Sequence, residues 1–146
     1  MSYKLSNKSL EKLDTCHEDL KTIIIESIKN SPYDFGVTHG HRSSELQNDL
    51  YKKGRNESGE IIDKSKVVTY VDGYIKKSKH NYLPSLAVDI VVYVNSNITW
   101  EHEYYGIVAG HIMKIAEELF EQSKINNRIT WGGSWNKFKD LPHFQI

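Results

Sequence analysis

The sequence predicts an α+β domain in which helices pack on a mainly antiparallel sheet. Three observations carry that reading. Helical periodicity runs over residues 8–29 and again over 103–122, short β-branched segments lie between and after these stretches, and a central strand pair is joined by a turn signal.

In chain order, Leu10, Leu13, Leu20, Ile23, Ile24 and Ile28 recur at helical spacing. One amphipathic helix is expected from about Lys8 to Lys29, capped by Ser6 or Asn7, with His17 on its surface. Ser31-Pro-Tyr ends it, and Phe35-Gly-Val-Thr38 reads as a short strand. In His39-Gly-His41-Arg42, two histidines at i and i+2 on an extended segment could both reach one metal ion. Arg42 has two readings: a surface pair with Glu45, worth less than about 1 kcal/mol, or a guanidinium that binds a carboxylate or a developing oxyanion. Ser44 and Gln47 have capping-box spacing, for a helix that runs to about Lys53 and stops at Gly54.

Arg55 to Lys66 is polar and contains glycine, which predicts a mobile loop. Val67-Val-Thr-Tyr-Val71 reads as a strand closed by Asp72-Gly73. The run Leu86-Ala-Val-Asp-Ile-Val-Val-Tyr93 is apolar and β-branched, a buried strand with Ala87, Asp89, Val91 and Tyr93 on one face. Asn95-Ser-Asn97 is a turn signal, and Ile98-Thr-Trp100 pairs back as a hairpin. The helix expected over Glu103–Gln122 carries His111 on its apolar face, as a hydrogen-bonded core histidine. His102-Glu103 opens no His-Glu-x-x-His motif, because position 106 is glycine. Arg128-Ile-Thr-Trp131 reads as a strand and Trp131-Gly-Gly-Ser-Trp135 as a tight turn, whose indoles could pack in the core or wall a cleft. Pro142 biases Leu141 toward extended backbone, so His143-Phe-Gln-Ile is expected to form a short terminal strand preceded by Asp140 in a turn.

The chemistry concentrates in Ser78-Lys-His-Asn-Tyr-Leu-Pro-Ser-Leu-Ala-Val-Asp89 and Asp140-Leu-Pro-His143. An ionised carboxylate in an apolar strand is costly unless a cation meets it. A lysine or arginine partner, or a strand end reaching water, would serve for an isolated aspartate. The nearby histidines favour a metal ion instead. A catalytic zinc takes three protein ligands and a water, whose pKa it lowers to about 7. His80, Asp89 and His143 fill that ligand count. Asp140 is left either to take a proton from the water or to hold a ligand imidazole in its tautomer.

In combination, Ser78-x-His80, Ala87-x-Asp89, Trp131-Gly-Gly-x-Trp135 and Asp140-x-x-His143 resemble the phage-type L-alanyl-D-glutamate peptidases. These belong to the zinc peptidase superfamily that also holds the D-alanyl-D-alanine carboxypeptidases and dipeptidases. Gly40-His-Arg42, Gln47 and Gly54-Arg55 extend the resemblance over most of the chain. It implies the D-Ala-D-Ala peptidase/hedgehog-like fold, one zinc ion on His80, Asp89 and His143, Asp140 as catalytic base and Arg42 as a second catalytic group. Ser78, Arg42, Gln47 and Trp135 would line the substrate site. The resemblance also places His41 where relatives carry an aromatic ring, a reading preferred to a second zinc site. Two positions depart from the family pattern: the spacer between His80 and Asp89 is longer and holds Pro84-Ser85, and Ser134 stands where relatives often have aspartate.

The implied activity is hydrolysis of the L-Ala–D-Glu bond in peptidoglycan stem peptides, the work of an endolysin. A D-alanyl-D-alanine carboxypeptidase shares the metal set and is the enzymatic rival. A cell-wall binding module with structural zinc is the non-enzymatic one, although structural sites favour four protein ligands rich in cysteine.

The 146 residues fit one catalytic domain without a separate wall-binding domain, and a composition of 38% hydrophobic and 26% charged residues indicates a folded chain. Nineteen basic residues balance nineteen acidic ones, which argues against an electrostatic nucleic-acid binder. Lys76, Lys77 and Lys79 cluster beside the site, as a solvated face or as an aid on an anionic polymer. The single cysteine, Cys16, suits a reducing compartment. No apolar leader and no run of about 20 apolar residues is present, so membrane insertion is not expected. The expected picture is a monomer made in the bacterial cytoplasm, acting on the cell wall once a holin-like partner opens the membrane.

Overall fold

In a computed structural model, which describes residues 2–146, the elements are α1 (Asn7–Leu13), α2 (Glu18–Lys29), β1 (Asp34–His39), α3 (Ser44–Lys52), β2 (Ala87–Val94), β3 (Asn97–Thr99), α4 (His102–Glu121), β4 (Thr130–Trp131) and β5 (His143–Gln145). The strands form one antiparallel sheet in the order β1-β2-β5-β4, with β3 also paired to β2. β5 lies beside Ala87–Asp89 and β3 beside Val92–Val94, so the two short strands meet different ends of β2. The expected α+β architecture is therefore the observed one.

Strand alternation decides the two faces. Val88, Ile90 and Val92 of β2, Phe35 and Val37 of β1 and Phe144 of β5 point into a single core. Leu20, Ile23 and Ile24 of α2 and Tyr105, Val108 and Ile112 of α4 cover them. Each of these side chains is at most a few per cent exposed, and burying one stabilises the fold by about 1.5–3 kcal/mol. The Tyr105 hydroxyl accepts from Val92 N at 3.2 Å and donates to Thr99 O at 3.1 Å, which ties α4 to the β2–β3 hairpin. Positive φ at Asn95 (51°) and Ser96 (66°) closes that hairpin. His111 Nε2 meets Ser27 O at 2.8 Å, the hydrogen-bonded histidine expected on α4.

Three local expectations are corrected. The helix over residues 8–29 is broken at Asp14–His17 into α1 and α2, because that corner pairs with the segment before β2. His17 N donates to Ser85 O and Ser85 N to Thr15 O, both at 2.8 Å. His17 caps α2, its Nδ1 accepting from Asp19 N at 3.0 Å. The cap of α3 is Ser43, whose hydroxyl accepts from Leu46 N, in place of the Ser44–Gln47 box. Val67–Val71 forms no strand; the Gln47 amide binds it by donating to Val71 O at 2.8 Å and to Thr69 Oγ1 at 3.2 Å. Residues 55–66 contain an Arg55–Ile61 bridge and a 3-10 turn at Lys64–Lys66.

Asp19, 5% exposed, holds the loop after α4 by accepting from Asn126 N, Asn127 N and Asn127 Nδ2 at 2.9–3.0 Å. Asp19→Ala leaves these donors unmet, at a cost of about 2–3 kcal/mol. Urea unfolding with an unchanged m-value is the expected result.

Candidate active site and metal centre

Register across the sheet builds the site. Asp89 pairs with His39 on β1 and with His143 on β5, so the three side chains form a row on the face opposite the core. A bulge in β1 between Val37 and His39 is what brings His39, not Thr38, opposite Asp89. The Asp89 side chain is 14% exposed.

His80 arrives from a 3-10 turn, Lys79–Asn81, closed by a capping box between Ser78 and Asn81. Arg42 N donates to His80 O at 2.7 Å and Asn81 Nδ2 to Arg42 O at 2.8 Å, which locks the turn to the segment after β1. The ring is oriented by Gly40, whose carbonyl accepts from Nδ1 at 2.7 Å. Gly40 can lie there because it has no side chain: a Cβ would collide with Lys12 O and with the Thr15 hydroxyl.

With its proton on Nδ1, His80 presents the Nε2 lone pair to Asp89 Oδ2 at 3.2 Å. His143 is arranged in the same way with the nitrogens exchanged: Nε2–H donates to Gln145 Oε1 at 2.8 Å and Nδ1 faces Asp89 Oδ1 at 3.0 Å. Two imidazole lone pairs thus point at a carboxylate, acceptor against acceptor, a repulsive arrangement unless a cation lies among them. The ligand atoms of His80, Asp89 and His143 all lie within 4.8 Å of one another, and the buried His80 Nε2 has no hydrogen-bond partner. Two nitrogens and one carboxylate oxygen suit a divalent metal with an open position. A proton competes for the same place. Burial alone would lower the His143 pKa, but the Asp89 contact outweighs it and raises the value. Burial alone would raise that of Asp89, but His143 and His80 hold its carboxyl well below the usual range.

Asp140 Oδ2 stands 3.8 Å from His143 Nδ1 at the mouth of this cluster. Burial, and then the charge of Asp89, raise its pKa above the ordinary carboxylate value. Its backbone is set by the Gly132-Gly133 turn: Asp140 N donates to Gly132 O at 3.1 Å, and a Cβ on Gly132 would collide with the Asp140 carbonyl. Asp140 O in turn accepts from His143 N at 3.2 Å, so one short turn positions both side chains.

The cluster lies in a cleft of about 560 Å³ walled by Val68, Tyr70, Trp135 and Phe138. Tyr70 and Phe138 meet edge-on across it, with centroids 5.1 Å apart. The two tryptophans divide the roles anticipated for them. Trp135 faces the cleft 5.2 Å from the His143 ring, whereas Trp131 packs on the core and donates to Leu141 O at 2.7 Å. Ser78 lines the cleft while accepting from His80 N.

Arg42 is buried, not paired with Glu45: NH2 donates to Asp89 Oδ2 at 3.3 Å and NH1 to Gln47 Oε1 at 2.9 Å. The carboxylate it binds is thus the chain's own. Gln47 is 1% exposed, with its amide bound to Arg42, Thr69 and Val71, so it supports the cleft from beneath and offers substrate no free surface. His39 and His41 do not converge on one ion. His39 Nδ1 lies 3.8 Å from Asp89, and His41 Nδ1 meets Tyr82 O at 2.9 Å. Sequence reasoning missed Gln145, although its position two residues after His143 puts both on one strand face. Gly40 was singled out as part of the resemblance, but not the contact of its carbonyl with His80, which spans 40 residues and leaves no local signal.

A sequence model described as phage L-alanyl-D-glutamate peptidase matches residues 1–144. The chain belongs to this family. It is 36% identical over 124 residues to the peptidoglycan L-alanyl-D-glutamate endopeptidase CwlK of Bacillus subtilis, a match covering 80% of this chain. The match spans 63% of that relative's length. The crystal structure of the L-Ala D-Glu endopeptidase ChiX of Serratia marcescens superposes with a TM-score of 0.71 at 26% identity, covering 98% of this chain and 90% of the other. The fold is thus that of an L-Ala-D-Glu endopeptidase.

Gln145→Leu removes the acceptor that orients His143 and is expected to weaken divalent-metal affinity by roughly 10–100-fold. Titration against a competing chelator measures it. Gly132→Ala, whose Cβ would press on the Asp140 carbonyl that accepts from His143 N, is expected to displace both side chains and so to weaken that affinity as well, measured by the same titration.

Proposed function

We propose that this chain is a zinc peptidase that hydrolyses the L-Ala–D-Glu bond of peptidoglycan stem peptides. The observation that carries the reading is the convergence of two outward-anchored imidazoles and Asp89 on one point, with the Asp140 carboxyl beside it. The family membership supplies the substrate class.

His80, Asp89 and His143 would hold the ion. When bound, zinc supplies Lewis-acid polarisation of the scissile carbonyl and makes a water acidic enough to ionise near neutral pH. Asp140 takes the proton of the attacking water on its carboxylate and returns it to the leaving amine. Its place 3.8 Å from His143 Nδ1, beside the ligand atoms, suits both transfers. Arg42 acts through Asp89: its guanidinium offsets the carboxylate charge and, anchored by Gln47, fixes the Oδ2 position. Trp135 gives the substrate an apolar wall, and Ser78 a hydroxyl.

This chemistry places the enzyme at the wall. No helix among the described residues is long and apolar enough to cross a membrane. In a lysis role, a holin-like partner would provide access.

His80→Ala is expected to abolish both zinc binding and hydrolysis of purified peptidoglycan. Asp140→Asn is expected to keep the zinc and to lose roughly 10²–10⁴-fold in rate. Mass spectrometry of the digest identifies the bond cleaved: a new D-Glu amino group supports the endopeptidase, and release of D-Ala alone assigns the chain to carboxypeptidase chemistry. Lytic activity retained in either variant would sink the proposal.

A further inference from the structure

The cleft carries more positive charge than its own carboxylates use. Its acidic side chains are Asp89, enclosed by the histidines and Arg42, and Asp140, assigned to proton transfer. Its cations are Arg42, Lys77 and Lys79. Arg42 is buried and committed to Asp89 and Gln47. Neither Lys77 nor Lys79 makes an ion pair among the described residues, whose salt bridges all involve other groups.

Lys79 is the better placed of the two. The residue lines the cleft and is half-buried, it precedes His80 in the same 3-10 turn, and its carbonyl accepts from Leu86 N at 3.0 Å, which fixes its backbone. Lys77 is exposed at the rim, with its Nζ 5.7 Å from the centroid of Tyr82. Ser78 lies between them, and its hydroxyl, which accepts from His80 N, keeps its own hydrogen to donate. Two lysines without counter-ions on the wall of the cleft, flanking a serine whose hydroxyl can donate, are a setting that a carboxylate would complete.

We propose that Lys79, assisted by Lys77, is a specificity-determining residue that binds a free carboxylate of the substrate adjacent to the scissile amide. The inference rests on the L-alanyl-D-glutamate peptidase reading above. A glutamyl residue acylated by L-Ala carries two carboxyl groups. Where the peptide continues through the side-chain carboxyl, the α-carboxylate remains on the carbon that bears the scissile nitrogen. A peptide bound at the metal site therefore carries this anion close to the zinc ligands, and the turn bearing His80 supplies the lysine to meet it. The enzyme then distinguishes a glutamyl acid from the corresponding α-carboxamide, which has the same shape and no charge. An exposed ion pair would give a factor of about five at most, whereas a charge-assisted hydrogen bond gives about tenfold or more.

The test uses two synthetic stem peptides that differ only in a free or amidated α-carboxyl on D-Glu, with zinc-loaded wild type, Lys79→Gln, Lys79→Arg and the double variant Lys77→Gln/Lys79→Gln. Wild type is expected to prefer the acid by about tenfold in kcat/KM, chiefly through KM. The ratio should fall toward one in Lys79→Gln and the double variant at unchanged zinc content, and Lys79→Arg should restore most of it. A wild-type ratio near one, or a preference that survives in the double variant, overturns the assignment of the lysines and leaves the peptidase reading intact. Failure of wild type to cleave either peptide overturns the peptidase reading and this inference with it.

Discussion

Everything at this site depends on one carboxylate. Asp89 sits at the centre of the sheet, where an unpaired charge costs several kcal/mol, and the surrounding structure is arranged to meet it. Arg42 and His80 approach Oδ2 and His143 approaches Oδ1, while the remaining hydrogen-bonding atom of each ring is tied outward to Gly40 or Gln145. Those outward contacts determine the site's character. Because each ring donates its proton away from Asp89, the inner nitrogens are left as ligands, and the cluster becomes a place for a cation instead of a closed hydrogen-bond network.

The fold carries this arrangement on backbone that tolerates little change. The corner between α1 and α2 clamps both segments that flank His80: Thr15 Oγ1 accepts from His41 N at 2.8 Å, and Thr15 O accepts from Ser85 N. Gly40 lies against that corner, as Gly132 lies against Asp140. The break in the first helix is therefore a requirement of the site. A continuous helix would hold the Thr15 carbonyl in its own ladder and leave the approach to β2 unanchored.

Much of the chemistry was legible in the sequence. Alternation along residues 86–93 fixed the face of Asp89, Pro142 fixed an extended His143, and residue types fixed the ligand count. Individual side chains were assigned less well where burial decides. The resemblance implied substrate contacts for Arg42 and Gln47, whereas the structure buries both under the cleft, bound to each other and, for Arg42, to Asp89. The strand expected at 67–71 had the right composition but found no partner strand, and side chains meet its carbonyls instead, Gln47 Nε2 donating to Val71 O and Arg55 NH1 to Thr69 O.

The sequence by itself determined most of the element types, the face on which Asp89 lies, and a donor set of two imidazoles and a carboxylate, because periodicity and side-chain chemistry are local properties. Only the tertiary structure decided which nitrogen of each histidine faces inward, that a bulge in β1 places His39 opposite Asp89, and that Arg42 answers Asp89 and leaves the lysines free. Apart from the contact of His143 with Gln145 two residues on, these outcomes depend on contacts between residues 40 or more apart or on the register of neighbouring strands, which no local pattern encodes.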